Sequence, residues 1–104
     1  MMLIPVQPLP NQVLQVQLAN QSCTIQLIQT AYGLICNLYI SSTLIIGGVL
    51  CENLNRIVRS LYLGFIGDLV FFDSQGATDP IYTGLGSQYQ LIYLEASDLP
   101  PNVG

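Results

Sequence analysis

Lysine and histidine are absent from this sequence, and its only cations are Arg56 and Arg59, set against Asp68, Asp73, Asp79, Asp98, Glu52 and Glu95. Two arginines cannot neutralise a run of phosphates, which argues against nucleic acid as a partner. Without histidine, and with no CxxC spacing, the three cysteines (Cys23, Cys36 and Cys51) do not make a zinc site. They read as reduced, buried, small apolar side chains, suited to a reducing cytoplasm. The shortage of histidine and lysine also leaves few partners for acid–base catalysis.

Charge of either sign is scarce. Only 8% of the residues are charged, against roughly 25% in an ordinary soluble domain, and residues 1–51 carry no charged side chain at all. Solubility then rests on Gln, Asn, Ser and Thr, which suits a chain covered by other subunits better than a free monomer. At 104 residues, 51% of them hydrophobic, the chain is long enough for one domain with a modest core. The opening MMLIPVQPLP lacks a basic n-region and is broken by prolines, so no signal peptide is read there. The uncharged run from Gly33 to Cys51 is long enough to cross a bilayer. Asn37, Ser41, Ser42 and Thr43 interrupt it, Gly47-Gly48 sits inside it, and its β-branched residues favour strands, so no membrane span is expected.

What the sequence does have is alternation. Leu14, Val16 and Leu18 fall on one side of a period of two, with Gln15 and Gln17 on the other. The pattern pauses over Ala19-Asn20-Gln21-Ser22 and resumes in Cys23-Thr24-Ile25-Gln26-Leu27, predicting a hairpin over 12–29. Tyr32-Gly33 marks a turn. Leu34, Cys36, Leu38 and Ile40 line one face of the next strand, with Ile35, Asn37 and Tyr39 opposite. Ser41-Ser42 turns into Thr43-Leu44-Ile45-Ile46, where Gly47-Gly48 signals a bulge. Leu69–Phe72 and Tyr89–Leu94 read as two further strands.

The stretch 52–63 fits two patterns. Leu54, Ile57, Val58 and Leu61 have helical spacing behind a capping Asn53, whereas Arg56-Ile57-Val58-Arg59 suits a strand. The flanking strands favour a hairpin, with one short helix near 53–63 as the alternative. Together these signals predict an all-β fold, an antiparallel small barrel or sandwich built from hairpins. The expected layout is a single β domain over 1–104, with a proline-rich arm (1–11) and a proline-containing tail (96–104).

Chemistry, if any, would sit in GDLVFFDSQGATDPIYTGLG (Gly67 to Gly86), which holds three aspartates and four glycines. Asp73 and Asp79 lack the alternating oxygen ligands and closing glutamate of an EF-hand. A carboxylate pair for glycosidase-type catalysis would need a shaped pocket. Gly84-Leu85-Gly86 is a bare GxG with no helix start to hold phosphate. Turn chemistry accounts for more. Asp73-Ser74 can bond nearby amides, Gly76 can supply a positive φ, and Asp79-Pro80 can open a second turn. No catalytic residue, metal or cofactor is predicted.

Three segments, IPVQPLPNQ, GGVLCENLNRIVR and Gly64 to Leu94, together resemble the baseplate plug family of contractile-tailed bacteriophages. The marks are Gly-Asp-Leu-Val-Phe, the Asp-Pro-x-Tyr turn and the Gly-Leu-Gly before the last strand; Gln88 stands where a basic residue is expected. The resemblance implies a structural, non-enzymatic virion protein of the tail baseplate, assembled in the host cytoplasm and present in several copies per tail. It would sit at the central hub, join hub and tube to wedge proteins, and hold the pre-contraction state. Exposed strand edges would pair with neighbouring chains. Tyr39, Tyr62, Tyr82 and Tyr93 are candidate amphipathic anchors, and Arg56 and Arg59 candidate bridges to acidic partners. The competing expectation is a small β-barrel binding module for an apolar ligand.

Overall fold

A computed structural model of the chain describes residues 2–58 and 67–95. Among these residues seven strands form two antiparallel sheets, and the fold is all-β as the alternation predicts. Four consecutive strands make a meander: β2 (Asn11–Leu18), β3 (Gln21–Thr30), β4 (Gly33–Ile40) and β5 (Thr43–Leu50). The second sheet places β7 (Tyr89–Leu94) between β1 (Met2–Ile4) and β6 (Asp68–Asp73).

Parity decides what each strand buries. Leu18, Cys23, Ile25, Leu27, Leu34, Cys36 and Leu38 face inward and are buried together with Gln21, whereas Thr24, Gln26 and Asn37 between them face out. From the other sheet come Ile4, Leu69, Phe71, Tyr89, Leu91 and Tyr93, so both sheets share one hydrophobic cluster. Each large apolar side chain removed from water there contributes about 1.5–3 kcal/mol.

Two tight turns fix the register of the meander. Ala19 and Asn20 both have positive φ (51° and 63°), as do Ser41 and Ser42 (48° and 71°). This is the type I′ geometry whose twist matches a two-residue hairpin. The first turn is therefore shorter than the four residues anticipated: Gln21 and Ser22 are already paired, with Leu18 and Gln17. Gln21 is drawn into the ladder because its Nε2 donates to the buried Leu18 carbonyl at 2.9 Å. The Gly47-Gly48 bulge is present. The pairing steps from Leu38–Ile46 to Cys36–Val49, leaving one extra residue on β5. Gly48 adopts φ 68°, and its N–H donates to Asn37 Oδ1 at 2.7 Å. The uncharged run from Gly33 is thus the β4–β5 hairpin, and none of the described helices is long or apolar enough to cross a membrane.

Neither pattern read over 52–63 appears in its described part. Residues 53–58 form no helix and no hairpin of their own; residues 59–63 lie outside the described residues. The segment instead runs past β6. Leu54 N–H donates to the Phe71 carbonyl (2.8 Å) and Ile57 N–H to the Leu69 carbonyl (2.9 Å). Asn53, in place of capping a helix, accepts the Asp73 N–H (2.9 Å) and so closes the end of β6. The helical spacing is overridden because the open side of β6 offers these backbone groups partners.

Alanine at φ 51° carries the left-handed penalty of an L-residue. Replacing Ala19-Asn20 by Asn-Gly should therefore stabilise the fold by about 1 kcal/mol. The urea midpoint should rise with an unchanged slope; a fall would count against the turn assignment.

Candidate interface and the acidic loop

The three aspartates do not converge. Asp68 and Asp73 stand at opposite ends of β6, roughly 16 Å apart at strand rise, and each carboxylate is engaged by backbone. Asp68 Oδ1 accepts the Val58 N–H (2.8 Å) and the Leu69 N–H (2.7 Å). Asp79 Oδ1 accepts the Asn53 N–H at 3.0 Å. Among the described residues no group of three or more His, Cys, Asp or Glu side chains could hold a metal ion.

Asp73 is the hub of the loop that joins β6 to β7. Its Oδ1 accepts the Gln75 N–H (2.9 Å) and Gln88 Nε2 (3.1 Å); its Oδ2 accepts the Thr78 N–H (2.9 Å) and hydroxyl (2.6 Å). Thr78 Oγ1 lies 2.9 Å from the Tyr89 hydroxyl, carrying the network to β7. Bonding to Thr78 first, and then to Gln75 and Gln88, holds the carboxyl well below the usual carboxylate range. Gln88, where a basic residue was expected, thus supplies a neutral donor to the same acid. Turn chemistry accounts for Asp73, with one correction. Gly76 does not occupy the left-handed region; the positive-φ glycines of this stretch are Gly67 (96°) and Gly86 (84°). A Cβ on Gly67 would strike the Leu94 carbonyl and the Tyr93 ring. Gly84 lies instead in a short 3-10 turn, Tyr82–Gly84.

The three cysteines are free and buried. A hydrogen bond with Cys36, together with burial, pushes the Cys51 thiol far upward, and burial raises that of Cys23.

The residues proposed as anchors lie in different settings. Tyr39 is half-buried on the outer face of β4, between Thr24 of β3 and Leu44 of β5. Tyr82 is half-buried against the core, and its N–H donates to Gln29 Oε1 at 3.0 Å, tying the loop to β3. Tyr93 is 2% exposed and belongs to the core, where burial raises its pKa. Arg56 is half-buried beside β6; Arg59 and Tyr62 lie outside the described residues.

A surface that no single residue advertised is the outer face of the meander. Ile28, Ile35 and Leu50 are register partners forming one apolar row, and Leu50 lies over Gly33. Asn37 Nδ2 donates to Gln26 Oε1 (3.1 Å) in the row beside it, next to the exposed Val13. Tyr32, 91% exposed, caps the β3–β4 turn. It was read from sequence only as a turn marker, although an aromatic before Gly33 at a hairpin tip was the available signal. None of the residues of β2 to β5, the strands that carry this face, is charged. A depression of 390 Å³ at its end is lined mainly by Gln, Ser and Thr, not by the apolar walls that an apolar-ligand module needs.

The described residues thus form an all-β subunit whose four-stranded sheet carries no charged side chain of its own. The chain belongs to the cyanophage baseplate Pam3 plug gp18 family, whose model matches residues 1–96. No curated protein matches it. It is accordingly a virion component of the tail baseplate that associates with other baseplate proteins, and the family speaks for a structural rather than a catalytic role.

Because the pKa of folded Asp73 is depressed, its stabilisation is complete above the unfolded value of about 3.9 and is lost as pH falls towards the folded value. Asp73→Asn should be less stable than wild type at neutral pH, with the gap narrowing as pH falls below about 4. Urea midpoints at several pH values check this; a constant gap would show that the carboxylate charge is not what the loop uses.

Proposed function

We propose that this protein plugs the central hub of a contractile tail baseplate, links hub and tube to the surrounding wedge proteins, and holds the state that precedes contraction. The observation carrying this reading is the family match over residues 1–96, and the chargeless outer face of the meander supports it. Charge is depleted from the centres of protein interfaces and aromatic side chains are enriched there. Tyr39 and the exposed Tyr32 meet that description on a rigid sheet. Arg56 and Arg59 are the only cations and would pair with acidic neighbours. An exposed ion pair contributes little, but within a covered interface a hydrogen-bonded pair is worth more.

Holding a metastable tail requires contacts strong in one arrangement and lost in the next. Many moderate contacts from a small subunit meet this need better than one deeply buried anchor, since they can be released together. Several copies in one particle would multiply the effect.

Mass spectrometry of purified tails should find the chain at several copies per particle. Replacing both Arg56 and Arg59 by Ala should lower the yield of infectious particles by about tenfold or more while leaving the circular dichroism of the free protein unchanged. Absence of the chain from purified tails would overturn the reading, and normal yields would remove the arginines from it.

A further inference from the structure

The two sheets have four edges, and three of them are blocked. β1 is three residues long and runs into Pro5. β6 is covered by residues 53–58 through the Leu54 and Ile57 amides. β5 is broken by two register shifts, and the Gly48 N–H is taken by Asn37. Short strands, covering segments and bulges are the usual protections of a sheet edge.

Among the described residues, β2 has none of them. Its register with β3 runs without a slip from Asn11–Ile28 to Leu18–Gln21. It contains no proline and no charge. The Gln29 N–H donates to the Pro10 carbonyl at 2.7 Å, which makes Pro10 and Gln29 a hydrogen-bonded pair of the antiparallel ladder. Alternation then turns the backbone groups of the even-numbered residues of β2 towards β3. Those of Asn11, Val13, Gln15 and Gln17 point to the open side, where no described residue bonds to them. The core rows also stop short here. Leu14–Ile25–Leu38 and Val16–Cys23–Ile40 cross the sheet in register, but Leu14 and Val16 are only half-buried where Ile25 and Cys23 are fully so.

We infer that the open edge of β2 accepts a strand from another protein of the baseplate, extending the meander to five strands. This deepens the plug reading and rests on it. The incoming segment is extended and uncharged, and it carries apolar side chains at alternate positions to continue the Leu14 and Val16 rows. Main-chain hydrogen bonds supply its affinity, and these rows its register. A second copy of this chain is the less fitting occupant. Pairing β2 with β2 is isologous and closes a two-fold dimer, consuming the edge without attaching the plug to anything else.

Gln15→Pro tests this, because proline removes an N–H that points away from β3 and leaves the β2–β3 ladder whole. Gln15→Ala is the control, since it trims the side chain and keeps the N–H. Both variants are supplied in place of the natural protein during particle assembly, and their content in purified tails is measured. Q15A should incorporate like wild type and Q15P about tenfold less or worse, with the free Q15P protein keeping its circular dichroism. Equal incorporation of Q15P overturns the inference and leaves the plug function standing; absence of wild type from tails removes both. Hydrogen exchange of the 11–18 segment keeps the idea testable should Q15P misfold. The Val13, Gln15 and Gln17 amides should exchange fast in the free protein and slowly in tails. Fast exchange in tails overturns the inference, as does protection in the free chain, which would mean that the chain fills its own edge. A free dimer that Q15P abolishes would assign the edge to a second copy and likewise overturn it.

Discussion

With so few charges to spend, this chain has to sort its residues almost wholly by the alternation of side chains along a strand. Inward positions of β2, β3 and β4 are mostly Leu, Ile, Val and Cys, with the buried Gln21 as the polar exception, and outward ones are largely Gln, Asn, Ser and Thr. A slip of one residue in any pair would send the core set to solvent and bury the amides. Everything else depends on that parity being held. It is held by the two I′ turns, by the buried Gln21 contact and by the bulge that lets β5 shift without inverting. On the outer face the same strands show uncharged polar residues interspersed with an apolar row, the property from which the interface reading grows.

The second sheet is organised by polar groups as much as by its core. Asn53 takes the Asp73 amide, Asp79 takes the Asn53 amide, and Asp73 gathers Gln75, Thr78 and Gln88. A carboxylate satisfied by several donors loses most of its capacity to bind anything further. The residues that looked most like a site are thus committed to holding the long β6–β7 connection against the sheet. Among the described residues, the surfaces proposed for partners are the plainer ones, the meander's outer face and its β2 edge.

How much of this could be read from the residues depends on the range of the interaction responsible. Period-two alternation is local, so β2, β3, β4 and β7 were legible, as was the bulge at Gly47-Gly48, where two glycines interrupt β-branched residues. Asp73 was legible as a turn former, because its nearest bond reaches only two residues on, to Gln75. The segment after Cys51 was not, since its partners are β6 and Asp79, 26 residues away in the case of Asn53. Nor was the pairing of Met2–Ile4 with β7, which joins the two ends of the chain. Tyr93 shows the limit for single residues. Tyrosine suits both core and rim, and only the register of β7 puts it inside.

The thiols carry a consequence for how the fold can be observed. Cys23, Cys36 and Cys51 are all interior, and the neighbour-bonded Cys51 and the buried Cys23 hold their protons tightly. A maleimide or disulfide reagent needs an exposed thiolate, so it meets these sulfurs only while the meander is open. Alkylation kinetics would then clock the breathing of the four-stranded sheet, free in solution or clamped inside a particle, without any introduced label.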